Sequence, residues 1–209
     1  MNITVIVQAR TGSSRFPNKI LQPVLGETLL YRQMERILKA ELPNCVVCAT
    51  TISKDDDIIQ HICEENGFEY YRGHQTDLLD RHYKAALAYS ADVAVKIPSD
   101  CPLIDPSVID RVIQYYIDHA EKYDFASNLH PPTYPDGNDV EVMPFEILKK
   151  AWSEAEKGFE LEHTTPYIWD NPNRFRIGNV EWESGLDLSM SHRFTVDYPE
   201  DYQFIKAVY

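Results

Sequence analysis

The residues best suited to chemistry lie in one short run near the start of the chain, VQARTGSSRFPNK at positions 7–19. Arg10, Arg15 and Lys19 are spaced through it, with Gly12, Ser13 and Ser14 between them. Small residues let backbone N–H groups approach an anion closely, and guanidinium and ammonium groups neutralise it. A basic loop of this kind within a chain of net charge -13 suits a triphosphate. The run contains neither G-x-x-x-x-G-K-[ST] nor G-x-G-x-x-G, so it is not a Walker A loop or an ordinary dinucleotide turn.

Two carboxylates stand in a second informative setting. Asp100 follows the apolar run Val93–Ile97 and Pro98-Ser99, and Asp197 follows Phe194-Thr195-Val196. An acid beside a buried strand is costly unless a cation or a metal ion faces it. The competing readings are a turn residue before Pro102 for Asp100 and a cap on a helix beginning at Pro199 for Asp197. Asp136, Asp139 and Glu141 flank a proline-glycine turn, either to bind a second substrate's hydroxyls or amines, to bind a second cation, or as a solvated acidic loop. Cys45 and Cys48 form a C-x-x-C, but an odd separation along a strand sends the thiols to opposite faces, so reduced core cysteines are expected.

The elements that position these residues alternate in type. Strands are expected at Ile3–Val7, Cys45–Thr50, Phe68–Tyr71 and Val93–Ile97. Between them, helices are expected at Leu29–Lys39, Asp55–Asn66, Asp77–Tyr89 (capped by Thr76) and Pro106–Ala120. Such alternation gives an α/β fold with a mostly parallel central sheet and helices on both faces, whose ligands gather at the carboxyl ends of the strands. The regularity stops after Phe125. Short strands at Val140–Val142, Phe175–Glu183 and Phe194–Val196 are expected there, with helices at Phe145–Lys157 and Pro199–Tyr209 and a kinked or two-part helical segment at Glu160–Asp170.

Bulk properties narrow the function. With 44% hydrophobic and 25% charged residues the chain reads as a globular protein. The acidic balance disfavours nucleic acid as a partner, and no apolar run approaches the roughly 20 residues of a membrane span. The apolar start reads as a first core strand rather than a signal peptide, and the cysteine usage as cytoplasmic.

The basic loop resembles the phosphate loop of the sugar-activating cytidylyltransferases, in particular the SpsF-like group related to CMP-KDO and CMP-acylneuraminate synthetases. The resemblance extends through TDLLDR at 76–81, SDCPLID at 99–105, YPDGNDVE at 134–141, EHTTPY at 162–167 and RFTVDYPED at 193–201. It departs at Pro98-Ser99, where the group usually carries Thr-Gly. It implies a Rossmann-like, GT-A-like nucleotide-diphospho-sugar transferase fold over residues 1–209, with 128–180 as an acceptor and dimerisation lobe. Relatives often continue past the position of Tyr209. The implied reaction is transfer of CMP from CTP to an anionic acceptor in glycan biosynthesis. Arg10, Arg15 and Lys19 would meet the triphosphate, Asp100 and Asp197 would hold Mg²⁺, and Ala9, Gly12, Ser13, Arg72 and Gly73 would help hold the nucleotide. Asp136, Asp139, Glu141, His163 and Arg193 would face the acceptor, and the enzyme would be a homodimer. The alternatives are a nucleotidyltransferase of the same fold using another nucleoside triphosphate, and a noncatalytic nucleotide-binding module or fragment of a larger biosynthetic protein.

Overall fold

The computed structural model describes Met1–Tyr209. β1 (Ile3–Gln8) leads through the basic loop to a small hairpin, β2 (Pro23–Val24) and β3 (Glu27–Thr28), and then to α1 (Leu29–Ile37). The alternation continues as β4 (Cys45–Thr51), α2 (Asp57–Asn66), β5 (Glu69–Gly73), α3 (Leu78–Ala88), β6 (Val93–Pro98) and α4 (Pro106–Asp118). The second half contributes β7 (Phe125–Ser127), β8 (Glu141–Pro144), α5 (Phe145–Glu154), α6 (Gly158–His163), α7 (Pro166–Trp169), β9 (Ile177–Asn179) and α8 (Pro199–Val208).

Seven strands form one sheet in the order β5-β4-β1-β6-β8-β7-β9. The first four pair in parallel, β8 runs antiparallel to both β6 and β7, and β9 returns parallel to β7. Alternate side chains of β1 feed opposite cores. Ile3, Val5 and Val7 pack with α1, α2 and α4, whereas Ile6 packs with α3, α5 and α7. A third, smaller cluster of Val24, Leu29, Val196, Tyr202 and Ile205 fastens α8 to the β2–β3 hairpin. The stretch 128–180 is continuous with the sheet, since β8 and β9 lie within it. All four cysteines are free, and Cys45 and Cys48 point to opposite faces. No helix is long and apolar enough to cross a membrane.

Several expected boundaries shift for local reasons. Asp77, not Thr76, caps α3, because its carboxylate accepts the Asp80 N–H at 2.8 Å. The expected strand at Phe175–Glu183 shortens to Ile177–Asn179, since the Trp182 N–H turns away to the Thr133 hydroxyl. Phe194–Val196 joins no ladder. Its amides instead reach the carbonyls of Asp136 and Asp100, which ties the end of the chain to the ends of two other segments.

Candidate active site

From β1 the chain crosses to β4 and β5 on one side and then returns to β6 on the other, so the strand order reverses between β1 and β6. That reversal opens a crevice at the carboxyl ends of both strands, the usual ligand position in such sheets. A polar cleft of about 310 Å³ lies there. Its walls include Ala9, Arg10, Ser13, Arg15 and Lys19 from the basic loop, Ser99 and Asp100 after β6, and Asp197 before α8.

Lys19 is the centre of this arrangement. Its Nζ lies 3.1 Å from Asp197 Oδ1 and 3.4 Å from Asp100 Oδ2, and it donates to the Val196 carbonyl at 2.6 Å. Asp197 also accepts from Arg15 at 2.6 Å and from Arg193 at 2.9 Å. Three cations therefore hold Asp197 in place. It does not cap α8; Asp201 does that, accepting the Asp197 and Tyr198 amides at 2.8 Å each. Arg10 is exposed and has no carboxylate partner within ion-pair distance.

The loop is shaped by residues that the sequence reading passed over. Thr11 donates its amide and its hydroxyl to Asp56 Oδ1, at 2.8 and 2.7 Å, and buried Asp56 also binds Thr51. Ser13 and Asn18 turn their amides onto the Thr11 carbonyl, with Asn18 at φ 58° closing the turn. The amides of Gly12, Ser14 and Arg15 are left without a protein acceptor and are available to an anion. The loop after β6 has its own clamp. Buried Gln33 donates to the Pro98 carbonyl and accepts the Cys101 amide, setting Ser99 and Asp100 between the two contacts.

A further cation lies under the cleft. Arg81 is 2% exposed and lines the cleft wall. It donates to the carbonyls of His74 at 3.0 Å and Gln75 at 3.2 Å. It forms no pair with its neighbour Asp80, which binds Lys84 and Trp152. Burial lowers the Arg81 pKa to about 10, with nearby Arg10 adding to the effect. Gly73 makes room for it, since a Cβ there would stand 2.9 Å from Arg81 Cγ. Arg72 lies outside the cleft and is bound to Asp57, Gln60 and the Thr51 and Ser53 carbonyls.

The acidic turn divides in two. Asp136 accepts the Thr195 hydroxyl at 3.0 Å and stands 3.6 Å from Arg193. Gly137, at φ 106°, packs against the Phe194 backbone and leaves no room for a side chain. Burial first, then the Asp100 and Asp136 carboxylates, push the Asp139 carboxyl up to about 7. Glu141 turns into the sheet instead, buried against Lys96. His163 and its neighbour Glu162 line the cleft.

The Asp139 shift predicts a pH dependence of stability. The folded protein keeps this proton up to about pH 7, whereas an unfolded chain releases it near about pH 4. Rising pH through that window therefore costs the folded state stability. In metal-free buffer, Asp139→Asn should raise the melting temperature at pH 8 and do progressively less toward pH 5. An equal gain at both pH values would contradict this.

Known proteins are similar to this chain over nearly its full length. A family model described as cytidylyltransferase matches residues 4–209. The spore coat polysaccharide biosynthesis protein SpsF of Bacillus subtilis is 31% identical over all of this chain and 86% of its own length. The solved structure of a cytidylyltransferase from Leptospira borgpetersenii is 32% identical, with a TM-score of 0.94 over 99% of this chain and 86% of that one. The fold is also that of a CMP:2-keto-3-deoxy-manno-octonic acid synthetase complexed with CTP. That structure is 16% identical, with a TM-score of 0.74 over 100% of this chain and 98% of the synthetase.

Proposed function

The chain belongs to the cytidylyltransferase family, and from that premise we propose that it transfers CMP from CTP to an acidic sugar, releasing pyrophosphate. The reaction would take place in the cytoplasm and serve glycan assembly. The observation that carries this reading is Lys19 bound to both Asp100 and Asp197 at the mouth of the β1–β6 crevice.

An acceptor oxygen attacks the α-phosphorus of CTP, and the bond from that phosphorus to the bridging oxygen of pyrophosphate breaks. Such chemistry asks the protein mainly to orient reactants and to neutralise charge. Arg10, Arg15 and Lys19, with the free amides of Gly12, Ser14 and Arg15, bind the triphosphate. Ala9 and Ser13 line the nucleotide's place, and Thr76 and Arg81 add a wall of their own. Gly73 serves by admitting Arg81, and Arg72 braces the end of β4 from outside the cleft. Asp136, Asp139, His163 and Arg193 form the acceptor side.

Asp100 and Asp197 fit Mg²⁺. Both offer hard oxygen donors, and both already converge on a single positive charge, that of Lys19. No group of three or more potential ligands surrounds them, which suits an ion that takes its remaining oxygens from substrate phosphates and water. When bound, the ion supplies charge neutralisation at the α-phosphate.

The proposal includes a homodimer built on 128–180, where Trp152 and Phe159 are exposed. A light-scattering mass equal to one chain would remove that part. The test of the reaction is titration calorimetry with CTP, UTP, ATP and GTP, each with and without Mg²⁺. Selective, Mg²⁺-dependent CTP binding is expected, followed by pyrophosphate release with an acidic sugar. Preference for another nucleotide would change the donor, and no binding at millimolar concentration would favour a noncatalytic module.

A further inference from the structure

Glu141 sits apart from the other acids of its turn. It is 3% exposed, stands opposite Lys96 in the β6–β8 register, and pairs with the Lys96 ammonium through Oε2. Its second oxygen, Oε1, accepts the Thr165 hydroxyl at 2.9 Å. Thr165 in turn lies 3.4 Å from the indole nitrogen of Trp169, so the pair within the sheet is linked to the junction of α6 and α7.

That junction is an unusual piece of backbone. Thr164 has φ 71° and ψ -52°, a region that β-branched residues avoid, and it is fully buried. Such a conformation persists only where its surroundings impose it. Beneath it, the Thr164 hydroxyl is 3.3 Å from Nδ1 of His82, a ring that burial keeps neutral. Immediately before it, Glu162 and His163 form part of the cleft wall, and the His163 ring packs on Phe159 at 4.8 Å. The chain turns sharply at Thr164, so a small rotation there would swing both side chains relative to the cleft.

A buried ion pair is seldom the most stable way to fill a core, since apolar residues of similar volume often do as well or better. What the Lys96–Glu141 pair supplies here is a fixed acceptor for one hydroxyl. We propose that Glu141 is a positioning residue: through Thr165 it fixes the α6–α7 corner, and so sets where Glu162 and His163 stand toward the acceptor. The acceptor half of this statement rests on the reaction proposed above; the corner half does not.

The test compares wild type with Thr165→Val, which keeps the shape and removes the hydroxyl, and with Thr165→Ser, which restores it. In ligand-free protein the His163 ring resonances, assigned with a His163→Gln variant, should move in Thr165→Val and return in Thr165→Ser. With whichever acidic sugar supports pyrophosphate release, Thr165→Val should raise the acceptor KM about tenfold, the effect of one buried hydrogen bond. The KM for CTP should change less than twofold. Adding Glu141→Gln to Thr165→Val should change the acceptor KM little further, because the link is already cut. Unmoved His163 resonances, an equal rise in both KM values, or failure of serine to restore them would overturn the proposal. If no sugar supports turnover, the proposed reaction falls, while the resonances still decide the role of the corner.

Discussion

Replacing Lys19 with alanine should lower kcat/KM by about three orders of magnitude, the scale of losing one charged group from a phosphoryl-transfer site. The loss should appear both in CTP affinity and in kcat. Lys19 is the only group that touches both Asp100 and Asp197, and it also binds the Val196 carbonyl. Without it, two carboxylates face each other across the cleft where a triphosphate must enter. Lys19→Arg should recover little, because a planar fork cannot replace a compact ammonium between three oxygens. The melting temperature checks the cause. Lys19 is a cleft residue rather than a core residue, so a variant that is inactive yet melts close to wild type supports the assignment. Retained CTP affinity in Lys19→Ala would remove this residue from triphosphate binding.

Asp100→Asn should cost about as much activity, again roughly a thousandfold or more, with an even smaller effect on folding. Its side chain has few internal obligations, namely Lys19 at 3.4 Å and the Cys101 thiol at 3.5 Å. The contact that matters for the fold is its backbone carbonyl, which accepts the Val196 amide and is untouched by the substitution. Asn keeps the shape and gives up the charge, so it separates cation binding from packing. Asp197→Asn would be less clean, because Arg15, Lys19 and Arg193 all converge on that carboxylate. Turnover in Asp100→Asn that still responds to Mg²⁺ as wild type does would exclude Asp100 as a metal ligand.

The place of Asp100 was legible because it closely follows the apolar strand β6. A strand end and the loop after it are neighbours both in sequence and in space. The same holds for Arg10, Arg15 and Lys19. Asp56 and Gln33 were invisible for the opposite reason. Their roles come from contacts with chain segments 45 and 65 residues away, and each looks like an ordinary polar position on or beside a helix. Arg72 and Arg81 show the limit most clearly. Both flank the β5–α3 connection, and spacing alone does not say which guanidinium turns inward. The available clue was Gly73, whose missing side chain leaves the volume that Arg81 fills. Glu141 was grouped with Asp136 and Asp139 because they are close in sequence, but β8 begins at Glu141, and the strand turns that side chain into the core.

The bonds that close the cleft also set a date of assembly. Lys19 reaches Val196 across 177 positions and Asp197 across 178, while Arg15 reaches Asp197 across 182. The strands of the parallel core, β1, β4, β5 and β6, all lie far ahead of Val196 and Asp197 in the chain. A ribosome therefore makes those strands well before it makes the segment that completes the contacts of Lys19 and Arg15. Until Val196 and Asp197 emerge and α8 docks, Arg15 lacks its carboxylate partner and Lys19 has only Asp100. The cleft is therefore completed only when the segment before α8 joins the strands made first.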